Sequence, residues 1–355
     1  MRTNLNERVL DFTVTGFMWA FRILIVAGIL IGTVNTLLAG KYSGEQWLDF
    51  IVFGISQGAI YALIALGYTM VYGILRMINF AHSEIFMSGA FGGFFLASWL
   101  TGNGFTASNP VLGLMLPILF AMLLSTSIAL LVERIAYRPL REAPRLVPLI
   151  SAIGASFFLL YTFRGFFGPG IYAYPPIPAL QGEWIVFGIS ILKVQGVIII
   201  AATLMMVVLY SIVQYTKMGK AMRAVSEDKD TSALMGIDVN RIIVTTFAIG
   251  AAMAGAAGVL YALIWRQVTF GMGFTPGIKA FTAAVLGGIG NIPGAMLGGI
   301  VLGVVESVGP SLVLEGLGIP RPYQLKDVIA YIMLVMILLF RPQGILGERL
   351  TKKKA

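Results

Sequence analysis

Long apolar runs alternate with short polar breaks along most of the chain. They occupy 17–39, 50–74, 85–100, 111–132, 146–165, 195–215, 241–265, 278–290, 293–309 and 326–341. A run of about 18 residues with few charges spans a hydrocarbon core of about 30 Å at about 1.5 Å per helical residue. The pattern predicts an all-α fold, a polytopic transmembrane helical bundle of about 8–10 membrane segments. One pair in it is a single apolar run, broken by Gly287, Gly288, Gly290, Asn291 and Pro293. The break predicts two half-helices meeting at mid-membrane, where transporters expose backbone groups and helix ends to substrate. Gly290, Gly294 and Gly298 recur at four-residue spacing, as do Gly250, Ala254 and Gly258, and this spacing predicts close helix packing.

If every run crosses, both termini lie on one side. The loops on that side (1–16, 75–84, 133–145, 216–241 and the tail from Arg341) carry 17 Lys and Arg, against 7 on the other. The basic bias places both termini in the cytoplasm of a multi-pass plasma-membrane protein. The opposite segment 165–193 is rich in proline and aromatic residues, as an interfacial loop is. The first run follows a 16-residue polar leader and lacks an A-x-A cleavage site, so it reads as a retained span.

Composition changes the picture mainly by exclusion. Apolar residues make up 58% of the chain and charged ones 12%. The net charge of +9 reflects basic loops, so no nucleic-acid partner is expected. Cysteine is absent, which excludes disulfides and thiolate metal sites. The only histidine is His82, leaving no material for a histidine metal centre or a catalytic triad. Catalytic and metal-ligating residues are therefore both expected to be none. No P-loop occurs either, because the Gly-Lys pairs at Gly40 and Gly219 are followed by Tyr42 and Ala221.

Two polar stretches carry candidate chemistry. In GKAMRAVSEDKDTSALMGIDVNR, residues 219–241, a helix from Lys217 to Val225 aligns Met218, Ala221, Met222 and Val225 on one apolar stripe. Asp228 or Asp230 caps a second helix, which Gly236 ends. Two readings are open: a solvated hairpin, or a plug whose stripe is buried only in a partner's groove. In YTMVYGILRMINFAHSEIFMSGAF, residues 68–91, Asn79, His82 and Glu84 stand at a helix junction. Polar groups at membrane depth line protein or water and mark pathways. The plainer reading is a tight cytoplasmic turn with Asn79 and Ser83 as helix caps. Residues 85–132 hold no charge, and Glu306 lies near the external end of its run. A pore so poor in ion-coupling groups, with a docking loop, fits an external motor.

The runs ALGYTMVYGILRMINFAHSEIFMSGAF, GKAMRAVSEDKDTSALMGIDVNRI, FTAAVLGGIGNIPGAMLGGIVLGVVE and FRPQGILGE resemble the permease subunits of branched-chain amino acid ABC importers. The resemblance covers roughly residues 47–348 and keeps motif order and spacing. Urea and short-chain amide permeases share much of the pattern. The resemblance implies ATPase subunits on the cytoplasmic side, a second permease and an external substrate-binding protein, in a bacterial inner membrane. No cofactor is then bound by this chain, and ATP is used by the partner subunits. It implies a coupling region at 217–236, with Gly219, Ala221, Met222, Arg223, Ala224, Glu227, Asp228, Ala233 and Gly236. The pathway would draw on Asn79, Phe80, His82 and Glu84, with Gly287, Gly288, Gly290 and Asn291. Ser83 departs from the glycine usual in the family's NFAHGE motif, and Arg76 is bulkier than expected there. Residues 1–46 have no counterpart and read as a leader plus an extra span, and 349–355 as a basic tail. The alternative is an autonomous ion-coupled carrier or channel using Glu84 and Glu306, which would leave the loop without a task.

Overall fold

In a computed structural model, residues 2–141, 143, 144, 146–186, 189–341 and 343–347 are described. The basic tail 349–355 lies outside the described residues. Helix α1 (Arg2–Ala39) leads to α2 (Gly44–Leu75), α3 (His82–Gly102), the short α4 (Phe105–Ser108) and α5 (Pro110–Val132). α6 (Leu146–Phe167) is followed by β1 (Tyr172–Ala173), a hairpin of β2 (Glu183–Val186) and β3 (Ile189–Leu192), and α7 (Lys193–Tyr215). Then come α8 (Lys217–Glu227), α9 (Lys229–Leu234), α10 (Val239–Trp265), β4 (Gln267–Val268), α11 (Phe274–Gly287), α12 (Ile292–Gly309) and α13 (Lys326–Phe340). Among the described residues nine helices are long and apolar enough to cross a membrane, and the fold is a polytopic helical bundle. At 14 residues, α11 is shorter than a full crossing.

Burial separates a core from a rim. In α2 and α10, 72% of the apolar window is buried, against 11% in α1 and 6% in α13. The rim helices therefore show an apolar surface that lipid solvates, while α2, α3 and α10 form the interior. Without a hydrophobic force between helices in lipid, close backbone approach holds the interior together. Gly54 and Gly58 of α2 lie against Gly299 and Gly303 of α12, and a Cβ on Gly58 would stand 2.7 Å from the Gly299 carbonyl oxygen. The four-residue series also pack: Gly250 meets Gly67, Gly258 meets the Phe86 carbonyl, and Gly298 meets that of Ala283. Gly290 is the exception, with open space around it and φ +98 in a turn. Gly303→Leu is expected to abolish monodisperse folded protein on detergent size-exclusion chromatography, since overpacking commonly costs 1–3 kcal/mol and here meets backbone. Gly28→Leu, at an open position on α1, should leave the profile unchanged.

α2 starts with a capping box, Gln46 N donating to Ser43 Oγ and Ser43 N to Gln46 Oε1. α1 lies beside the π-helical turn Pro310–Leu314 that continues α12, where Thr36 Oγ1 donates to the Ser311 carbonyl at 3.3 Å. Asn35 Nδ2 donates to the Gly316 carbonyl at 3.0 Å, and Lys41 pairs with Glu315. One end of the bundle carries β1 paired to β4 and the β2–β3 hairpin. The other carries α8 and α9.

Candidate functional site

At the α8–α9 end, Thr216 caps α8 by accepting from Gly219 N at 3.1 Å. Asp228 rather than Asp230 caps α9, accepting from Asp230 N at 2.9 Å and Thr231 N at 3.1 Å. The Thr231 hydroxyl also donates to Asp228 and, with the backbone bonds, holds its carboxyl below the ordinary value. Gly236, at φ +85, ends the pair as expected. The apolar stripe, however, needs no partner. Met222 and Val225 are buried, and Met218 and Ala221 are half-buried against the chain's own core. α8 packs against α2, α7 and α10, so the bundle itself supplies the groove. Gly219 sits too close to the Ile212 carbonyl for a side chain, and Arg223 Nη1 donates to the Val213 carbonyl at 2.9 Å. Ala224 is half-buried, whereas Glu227, Asp228, Ala233 and Gly236 face outward. What stays uncovered is Leu234 and Met235, 87% and 78% exposed at the C-terminal end of α9. Periodicity could not single them out, since they belong to no stripe.

The 76–84 junction is not a surface turn. Arg76 closes α2 in the left-handed region at φ 57, and the chain then turns back into the bundle. The His82 ring packs against Gly67 and, edge to face, against Tyr68 at 4.8 Å. α3 thus begins beside a point eight residues inside the end of α2, about 12 Å deep at 1.5 Å per residue. Neither proposed cap is formed: Ala81 occupies the cap position of α3 without a side-chain bond. Asn79 Oδ1 instead accepts from the Tyr137 hydroxyl at 2.8 Å, and Ser83 Oγ donates to the Phe80 carbonyl at 2.9 Å. Ser83 and Ser156 both donate to Glu84 Oε1 at 3.4 Å. Asn79 Nδ2, His82 Nε2 and Glu84 Oε2 are buried without a hydrogen-bond partner among the described residues. Phe80, half-buried, reaches Phe281 of α11 at 6.5 Å. Ser83 fills the space against Gly277 and Gly273, at the start of α11.

The glycine break lies elsewhere, and not at mid-membrane. Gly287 faces Gly294 across an antiparallel α11–α12 hairpin whose turn sits at the α8–α9 end. Ile345 N and Leu346 N donate to the carbonyls of Leu286 and Gly287 at 2.8 and 3.0 Å, and Asn291 Nδ2 donates to that of Leu346 at 2.8 Å. Gly288, at φ +106, has room only for hydrogen, because a Cβ would stand 2.6 Å from Gly347 N. Two helices folded back on one another need a tight turn, and the segment after α13 covers it. The fold therefore joins Asn79, Phe80, His82 and Glu84, but puts Gly287, Gly288, Gly290 and Asn291 at the far end of α11.

A second buried polar cluster was not foreseen. Lys279, expected at an external loop boundary, is buried in α11 between Glu306 of α12 and Asp327 of α13. Its Nζ donates to Glu306 Oε1 and, at 2.6 Å, to Asp327 Oδ1, and it stands 5.7 Å from the centre of the Tyr61 ring. The missed signal was a lysine and a glutamate on two apolar runs joined by a turn, which places them near one another once the runs fold back. Above this cluster, at the hairpin end, a cavity of about 470 Å³ opens among α2, the β2–β3 hairpin, α7, α12 and α13. Among the described residues no group of three potential metal ligands assembles.

A family model described as branched-chain amino acid transport system / permease component matches residues 50–338. LivH of Salmonella typhimurium, a high-affinity branched-chain amino acid transport system permease protein, is 42% identical over 317 residues, covering 87% of this chain and 99% of the relative. BraD of Pseudomonas aeruginosa, described in the same words, is 44% identical over 312 residues, covering 87% and 98%. LivH of Escherichia coli is 41% identical over 317 residues, with 87% and 99% covered.

Proposed function

We propose that this chain, which belongs to the branched-chain amino acid transport system permease family, is the membrane subunit of an ATP-driven importer of branched-chain or other neutral amino acids. The observation that carries the reading is the near-full-length similarity to LivH and BraD at 41–44% identity. The chain supplies the passage with a second permease. It binds no cofactor, and ATP is hydrolysed by partner subunits seated on the α8–α9 end, in the cytoplasm with both termini. A substrate-binding protein delivers cargo to the hairpin end, outside the inner membrane. The absence of a P-loop supports the division of labour, since the chain offers no phosphate cradle of that kind. α8 is fixed to the bundle by Met222 and Val225, and Arg76 Nη2 donates to the Ser226 carbonyl at 3.2 Å. A push on α9 is thereby passed to the junction at which α2 gives way to α3.

Reconstitution tests this. Uptake of labelled leucine into proteoliposomes should need ATP, the ATPase subunits and the binding protein, and should persist when ionophores collapse all gradients. Glu84→Gln should lower expression at most modestly, by the 0.3–1 kcal/mol of a carboxylate at a helix start. It should leave gradient dependence unchanged. Accumulation by this chain alone under an imposed ion gradient, abolished by Glu84→Gln or Glu306→Gln, would establish the ion-coupled carrier instead. Urea or acetamide uptake in place of leucine would reassign the cargo.

A further inference from the structure

The cavity at the hairpin end combines three features. Its apolar wall is Phe50, Phe53 and Leu192. Glu306 also lines it; the residue is 2% exposed, one oxygen is held by Lys279, and the other, Oε2, is buried and has no hydrogen-bond partner among the described residues. Lys326, also in the wall, lies over the Trp265 ring at 4.5 Å and pairs with no carboxylate among the described residues, while its neighbour Asp327 is taken by Lys279. A buried carboxylate oxygen without a donor is costly, so it marks a place where a donor belongs. The volume falls in the range of small-molecule sites, about 300–1,000 Å³.

We propose that this cavity is a subsite for a zwitterionic aliphatic amino acid, its ammonium on Glu306 and Gln57, its carboxylate on Lys326, its side chain against Phe50 and Phe53. A simple cation would leave Lys326 unanswered, and a simple anion would leave Glu306 Oε2 unanswered. A zwitterion answers both. Asp49, exposed at the mouth, favours approach by the ammonium end. The choice of an aliphatic amino acid rests on the importer reading, whereas the demand for both charges rests on the cavity alone.

The test uses the full-length chain in lipid nanodiscs at pH 6.5, titrated with L-leucine, L-leucinamide (no carboxylate) and 4-methylpentanoate (no ammonium). Leucine should bind saturably, with each analogue weaker by about tenfold or more, the loss of one good polar contact. Lys326→Met should weaken leucine about tenfold and leucinamide less than about twofold, because leucinamide offers Lys326 nothing. A general loss of structure would move both. The subsite is overturned by absence of saturable leucine binding, by equal binding of leucine and 4-methylpentanoate, or by equal effects of Lys326→Met on leucine and leucinamide. The ligand series on the unsubstituted chain decides the case even where the variant fails to assemble. Uptake in the reconstituted importer judges the transport reading separately: leucine uptake without this binding pattern removes the subsite alone, and absence of leucine uptake removes the reading.

Discussion

Lys279→Met should destabilise the folded chain by about 3–5 kcal/mol, the usual cost of removing one partner from a buried ion pair. The pair is asymmetric, and this decides which single change is worst. The Asp327 side chain is 42% exposed and stays solvated without the lysine, whereas the Glu306 side chain is 1% exposed and would be left charged and unpaired. Glu306→Gln is milder, because Lys279 keeps Asp327. The double variant Lys279→Met with Glu306→Gln carries no unpaired buried charge and should regain most of the loss. Thermal unfolding in detergent reads the series, with Lys279→Met lowered by about 10 °C or more at a few degrees per kcal/mol. If Lys279→Met melts like the unsubstituted chain, the buried network contributes nothing. A double variant no better than Lys279→Met would mean that packing, and not charge, was lost.

Lys279 also shows where the sequence stops being legible. The spans were readable because length and apolarity alone decide whether a helix can cross lipid. The packing roles of Gly250, Gly258 and Gly298 followed from spacing, since small residues four apart share a face. Depth is a different matter. The break at Gly288 reads as a break whether it lies at mid-membrane or at a surface, and only its contacts with Gln343, Gly344 and Gly347 place it. The same limit applies at Asn79 to Glu84, whose polarity suits a surface turn but which re-enter beside Gly67. Lys279 counted as a loop charge because α11 starts inside the bundle, and chain-local patterns carry no sign of where a helix begins in depth. Its partners, 27 and 48 residues away, are fixed by tertiary folding.

The stripe on α8 misleads in an instructive way, and the largest functional effect follows from it. An apolar stripe marks a buried face without naming what buries it, and here the bundle does. Ala221→Asp, half-buried in that face, and Val225→Asp, fully buried, should both reduce folded protein. Neither can separate docking from folding. Leu234 and Met235 can, since both project into solvent and touch little of their own chain. Two apolar anchors at an interface are each worth about 2 kcal/mol when central, so their joint loss weakens docking by about 4 kcal/mol, roughly a thousandfold. Leu234→Asp with Met235→Asp should therefore leave expression and melting unchanged, abolish co-purification of ATPase subunits, and reduce ATP-driven leucine uptake to background. Asp228→Ala gives a graded companion: removal of the α9 cap costs about 1 kcal/mol, loosens the helix that presents the pair, and should lower uptake only partly. Normal uptake and normal ATPase capture by the double aspartate variant would remove this surface from the coupling path, and the motor would have to grip the permease at another face of the α8–α9 end.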